Sequence, residues 1–108
     1  MLLQGLREDG GTFQIRLREV QTSKPITIGR GKDADVTIDD GMCSRVHCAI
    51  RYWDDIFVIR DKNSRNGVVI NGEKVEVAAL HPGDVVKIGD TELTVLSEET
   101  NADVTIMQ

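Results

Sequence analysis

Apolar positions along this chain recur mostly at every second residue. Phe13, Ile15 and Leu17 alternate with Gln14, Arg16 and Arg18, the period of a strand with one face on a core. Ile26 and Ile28 flank Thr27, Val36 and Ile38 flank Thr37, and Cys48 and Ile50 open a run that reaches Tyr52. Further strands are predicted over Ile56–Arg60, Val68–Ile70, Val75–Val77, Val85–Ile88 and Glu92–Leu96. Asp54-Asp55, Asn66-Gly67, Asn71-Gly72, Pro82-Gly83-Asp84 and Gly89-Asp90 punctuate them, and these residues favour tight turns. No window of about eleven residues or more holds a helical stripe. Many short strands between such turns predict an all-β sandwich or barrel.

A chain of 108 residues is expected to form one domain. Its aromatic residues are only Phe13, Tyr52, Trp53 and Phe57, so Val, Ile and Leu must build the core, which suits strands. The net charge of −5 argues against general nucleic-acid binding, which neutralises phosphates with Lys and Arg. It leaves room for a local basic patch. Met1 to Leu6 is too short an apolar run for a signal peptide, and no stretch is long enough to span a bilayer as a helix. Two ordinary thiols, Cys43 and Cys48, then fit a reducing cytoplasm. Cys43, His47 and Cys48 lack a fourth metal ligand, and His47 and Cys48 as strand neighbours would point to opposite faces. Cys48 is therefore expected to be a small buried hydrophobe, with neither metal nor cofactor bound.

The polar residues that could do chemistry gather in three turns. These are Gly29-Arg30-Gly31, Ser44-Arg45-Val46-His47 and Asn63-Ser64-Arg65-Asn66-Gly67. Loops at one end of a rigid sandwich are where binding residues collect. Arg30 offers a planar fork of donors suited to phosphate oxygens, and Ser44 can donate a hydroxyl to another. Ser44 and His47 also invite a nucleophile-and-base reading. That reading needs an orienting acid and an oxyanion hole, and neither is apparent.

Gly29-Arg30, then Ser44-x-x-His47, then Asp61-x-x-Ser64-x-Asn66-Gly67 with Asn71-Gly72 behind it, resembles the forkhead-associated (FHA) domain in order and spacing. Leu80-His81-Pro82-Gly83-Asp84 and Ile88-Gly89 resemble its closing segment, so the likeness runs from Pro25 to Leu96. It implies an eleven-stranded β-sandwich, mostly antiparallel, whose loops at one end hold a phosphothreonine. By resemblance, Arg30, Ser44 and Arg45 bind the phosphate, and Asn66 grips the backbone of the bound peptide. A pocket for the threonine methyl would favour phosphothreonine over phosphoserine. The resemblance makes His47 structural, tying the loops together, with Gly29, Ser64 and Gly67 also supporting the site. Arg65 stands where the family often has Thr, and is expected either to add positive charge beside the phosphate or to face solvent. Val68 likewise replaces a usual Thr. Met42 and Cys43 are expected to meet side chains that follow the phosphothreonine, and an adaptable Met suggests an apolar one.

The implied partner is a phosphothreonine-bearing protein marked by a Ser/Thr kinase, with no nucleic acid or membrane involved. Residues 1–96 are assigned to the domain and 97–108 to a tail or linker. In that tail Ala102-Asp103-Val104-Thr105-Ile106 repeats Ala34-Asp35-Val36-Thr37-Ile38, either by coincidence between strand-like segments or as an extra edge strand. Thr100 and Thr105 could themselves be phosphorylated and read by such a domain. Two rival functions stand beside this reading. One is a sandwich that binds partners without phosphate through its outer sheet face, and the other is a hydrolase using Ser44.

Overall fold

The computed structural model describes residues 1–7, 9–19 and 24–97. They form eleven strands: β1 (Leu2–Leu6), β2 (Thr12–Arg16), β3 (Ile26–Gly29), β4 (Val36–Thr37), β5 (Cys48–Trp53), β6 (Ile56–Asp61), β7 (Val68–Ile70), β8 (Glu73–Val75), β9 (Val77–Leu80), β10 (Val85–Ile88) and β11 (Thr91–Leu96). One sheet runs β2-β1-β11-β10-β7-β8 and the other β4-β3-β5-β6-β9. Every pairing is antiparallel except the short parallel one of β3 with β4. The all-β sandwich expected from the alternation is the fold observed. No helix of the described residues is long and apolar enough to cross a membrane.

Between the sheets lie the inward positions of each strand: Leu3 and Ile15, Ile28, Cys48 and Ile50, Phe57 and Ile59, Val86 and Ile88, Leu93 and Val95. Phe57 is the sole aromatic among the fully enclosed residues, so the interior is aliphatic, as the composition required. Each such Leu, Ile, Val or Phe side chain contributes about 1.5–3 kcal/mol by leaving water. Val68 is also buried, at the start of β7. Where the family often has a hydroxyl, this chain has a core residue.

Two elements differ from the sequence reading. β1 was not expected, because Gly5 interrupts its alternation. The glycine is there for Phe13, directly opposite on β2, since a Cβ on Gly5 would lie 2.2 Å from the Phe13 ring. The single strand expected over Val75–Val77 is two, ending at Val75 and restarting at Val77. Turn chemistry explains most other joins. Asp54 and Asp55 both take positive φ between β5 and β6, as do Asn71 and Gly72 between β7 and β8, the backbone that a two-residue hairpin requires.

This register places the β3–β4, β4–β5 and β6–β7 loops at one end of the sandwich. The β5–β6 turn, the β7–β8 turn and the β9–β10 turn lie at the other. The tail from residue 98 onward, with the repeated Ala-Asp-Val-Thr-Ile and both candidate threonines, lies outside the described residues.

Candidate functional site

The three loops are joined through their backbones before any side chain is considered. The Arg30 amide donates to Ser44 O at 2.9 Å, and the Gly31 amide donates to Arg45 O at 3.0 Å. This contact leaves no room for a side chain at Gly29, where a Cβ would come within 2.1 Å of Arg45 O. Gly29 is therefore required by close packing of two strands of backbone rather than by positive φ.

His47 locks the third loop to the other two. It is completely buried. Its Nδ1 accepts a hydrogen bond from the Ser44 amide at 3.1 Å, so the ring proton is on Nε2, which donates to Gly67 O at 2.7 Å. Its own backbone donates to Ile28 O and accepts from the Lys62 amide. Both ring nitrogens are used for construction. The Ser44 hydroxyl meets a different group, accepting from the Arg65 amide at 2.9 Å. Ser44 Oγ and His47 thus form no nucleophile–base pair, and the hydrolase reading loses its geometric basis.

The β6–β7 loop is shaped by a relay. The Gly67 amide donates to Ser64 Oγ at 2.9 Å, and the Ser64 hydroxyl donates to Asp61 Oδ1, which also accepts from the Ser64 amide. Gly67 takes a φ of 80°, a backbone that L side chains rarely adopt, while the Lys74 side-chain end beside it is exposed and able to move. The turn presents Asn66 outward, and its Nδ2 donates to Met42 O at 2.8 Å.

Around this frame the cations are exposed and lack anionic partners. Arg30 Nε donates to Cys43 O at 3.0 Å, which aims the guanidinium and leaves its two terminal amino groups unoccupied. Arg45 and Arg65 are exposed, and no salt bridge to any of the three arginines is present among the described residues. Since Ser44 Oγ already accepts from Arg65 N–H, its own proton is free to be donated outward. The expected site residues Arg30, Ser44, Arg45, Arg65 and Asn66 are thus brought together on a scaffold of Gly29, His47, Ser64 and Gly67.

Met42 and Cys43 part company. Met42 is 49% exposed, whereas Cys43 is 3% exposed and its thiol donates to Ile88 O. The expectation that Cys43 meets a ligand side chain is corrected: successive residues point to opposite sides of this loop, and Cys43 faces the core. Burial pushes both thiols up to about 12, with the Asp40 carboxylate also raising Cys43. They are packing groups and poor nucleophiles. Among the described residues no group of three or more His, Cys, Asp or Glu is arranged to hold a metal ion.

Asp40 and Thr91 are structural members of the site that the sequence reading passed over. Asp40 Oδ1 accepts from the Met42 amide at 2.8 Å, and its Oδ2 accepts from the Asp90 amide at 2.8 Å and the Thr91 hydroxyl at 2.6 Å. Burial opposes the charge, but these hydrogen bonds outweigh it and hold the carboxyl below its usual range. Asp40 thereby fastens the β4–β5 loop to the β10–β11 turn. Its local signal was an Asx turn, Asp followed by Gly two residues before the bonded amide.

Comparison with known proteins agrees with this architecture. The family model of the FHA domain matches residues 26–89. The FHA domain-containing protein FhaA of Mycobacterium tuberculosis is 35% identical over 88 residues, which is 82% of this chain and 16% of that protein. The crystal structure of the FhaA FHA domain complexed with the intracellular domain of Rv3910 superposes with a TM-score of 0.72 at 34% identity, covering 86% of this chain and 96% of that one. A structure from an analysis of phosphothreonine-dependent FHA domain interactions gives 0.70 at 31% identity, covering 91% and 98%. The chain spans between 8% and 50% of the length of the curated relatives it matches. With the motif order, the eleven strands and the loop geometry in agreement, this chain belongs to the FHA-domain family.

Proposed function

We propose that the loop end of this sandwich binds phosphothreonine-containing segments of partner proteins, as a non-catalytic signalling module acting in the cytoplasm downstream of a Ser/Thr kinase. One observation carries the reading: three exposed arginines without anionic partners stand on the joined loops that hold a serine hydroxyl whose proton is free. Such a site suits a dianionic group with three acceptor oxygens. Arg30 serves as the pre-aimed fork, Ser44 as the hydroxyl donor and Arg45 as the second cation. Arg65, whose amide already holds Ser44, adds the third. Asn66 offers an amide to the peptide backbone, and Met42 meets a flanking side chain. The phosphothreonine-dependent interactions of a similar FHA structure support the choice of ligand, and the two unpaired thiols support a reducing compartment. Residues 97–108 are read as a linker to a neighbouring domain.

A degenerate phosphothreonine peptide library, with phosphoserine and unphosphorylated versions alongside, tests this. Binding should require the phosphate and favour threonine, and Arg30→Ala should weaken it by about a hundredfold or more, the loss of charge-assisted bonds worth roughly 1.5–3 kcal/mol each. Equal binding of the unphosphorylated library would overturn the reading. A second reading is favoured by the outer face of the β4-β3-β5-β6-β9 sheet, where Trp53, Ile56 and Val77 are 55%, 40% and 45% exposed. Phosphate-independent binding lost in Trp53→Ala and kept in Arg30→Ala would select it.

A further inference from the structure

Next to the phosphate loops, at the same end of the sandwich, lies a cavity of about 670 Å³. The β1–β2 hairpin, the β4–β5 loop and the β10–β11 turn form its walls. Phe13, Ile38 and Met42 supply its apolar surface, while Asp9, Asp39 and Asp90 are exposed at its rim. Among the described residues four aspartates, Asp40 included, and one arginine, Arg7, line it, a formal charge of −3. Asp40 is committed to its three hydrogen bonds, and Asp9 accepts from the Gly11 amide. The side chains of Asp39 and Asp90 have no hydrogen-bond or ion-pair partner among the described residues. Arg7 already lies over the Phe13 ring at 4.8 Å, so the chain's own guanidinium covers that part of the lining and Met42 is its exposed apolar residue.

The cavity and the phosphate loops share the β4–β5 loop at Met42. The side chain of Met42 forms one wall, its carbonyl accepts from Asn66 Nδ2, and the next carbonyl, of Cys43, accepts from Arg30 Nε. A peptide held by Arg30 and Asn66 would therefore lie against the loop that also lines this cavity.

We propose that the cavity is a flanking-residue subsite that takes a Lys or Arg side chain from the same phosphothreonine segment, its stem against Met42 and its charged head against Asp39 and Asp90. The inference rests on the phosphothreonine reading and extends it. Long cationic side chains suit such a place because they bury an apolar stem and keep the charge at the wet rim. An acidic rim beside a cationic phosphate site would select segments that carry both charges in order, which makes the electrostatics a matter of specificity more than affinity.

The test uses synthetic phosphothreonine peptides with alanine at every flanking position, scanned with single Lys, Arg or Glu substitutions up to four residues either side. At one position Lys or Arg should bind about three- to fivefold more tightly than Ala, the scale of partly exposed ion pairs, and Glu more weakly. That ratio should fall to about one in an Asp39→Asn/Asp90→Asn double variant, and also in high salt, which screens exposed charges. Phosphate-dependent, Arg30-dependent binding with no basic preference, or with a preference the double variant leaves unchanged, would overturn the subsite and leave the phosphothreonine reading standing. Folded protein with no phosphate-dependent binding would overturn both.

Discussion

Asn66-Gly67 and Asn71-Gly72 are the same dipeptide, separated by one short strand, and the protein uses them in opposite ways. At the second pair both residues have positive φ, 51° and 86°, and the Asn71 side chain is bonded at both its nitrogen and its oxygen. Its Nδ2 donates to Asp84 Oδ1 and its Oδ1 accepts from the Val85 amide, both at 3.0 Å. At the first pair only Gly67 has positive φ. Asn66 is exposed and donates to Met42 O, and its Oδ1 has no partner among the described residues. The difference extends to whole ends of the sandwich. At the far end Asn71, His81 and Asp84 satisfy one another. At the loop end a buried His and a short Ser–Asp relay do the holding, and three arginines, a hydroxyl proton and an amide oxygen are left over. Unspent hydrogen-bonding capacity on a rigid frame is what marks the candidate binding site here.

The largest expected break in this comparison is His47→Ala. It removes two ring hydrogen bonds and leaves the Ser44 amide and Gly67 carbonyl unsatisfied beside a new void. Stability should fall by roughly 3 kcal/mol or more, read as a lower urea midpoint, with phosphopeptide binding lost too. A midpoint unchanged from wild type would mean that the loops are held by something else.

Next in size is the contrast between the two asparagines. Asn66→Ala should raise the peptide Kd about tenfold while costing less than ~1 kcal/mol of stability, since its one side-chain bond is exposed. Asn71→Ala should do the reverse, lowering stability by about 1–2 kcal/mol through its two bonds and its positive φ, with Kd unchanged. Calorimetric titration and urea unfolding of both variants separate these effects.

The smallest effect concerns acid. The backbone bond from His81, then the bond from Asn71, hold Asp84 below its ordinary value of 3.8, and Asp40 at the loop end is lowered as well. A carboxyl whose folded value is depressed stabilises the fold above its unfolded value and loses that contribution as pH falls through the folded one. The urea midpoint should therefore be level from neutral pH down to about 5 and decline below about 4. The decline should be shallower in Asp84→Asn.

Much of this fold was legible because strands with one buried face alternate, and Val85–Ile88 and Glu92–Leu96 display that period plainly. β1 was illegible because the reason for Gly5 lies on another strand, in the ring of Phe13. The site was legible as a set of three turn clusters, and resemblance to a family ordered them. It was not legible at Asp40, whose partners Asp90 and Thr91 are 50 and 51 residues away in sequence. Cys43 was misplaced for a different reason: the loop could be identified from residue types, but which of two adjacent residues faces the core depends on the register of the whole loop. Asn66 and Asn71 have the same local signal, and only their surroundings divide an exposed amide with an unbonded oxygen from a hairpin turn.

The central claim is that one end of the sandwich binds and the other is closed upon itself. Titrating a phosphothreonine peptide into the labelled protein and following its amide NMR signals tests this most directly. The amides of Arg30, Gly31, Ser44, Arg45 and Arg65–Gly67 should shift, while those of Asn71, Gly72 and His81–Asp84 stay in place, and the unphosphorylated peptide should move neither set. Shifts centred on the far end or on the Trp53 face, or equal shifts without phosphate, would contradict the account.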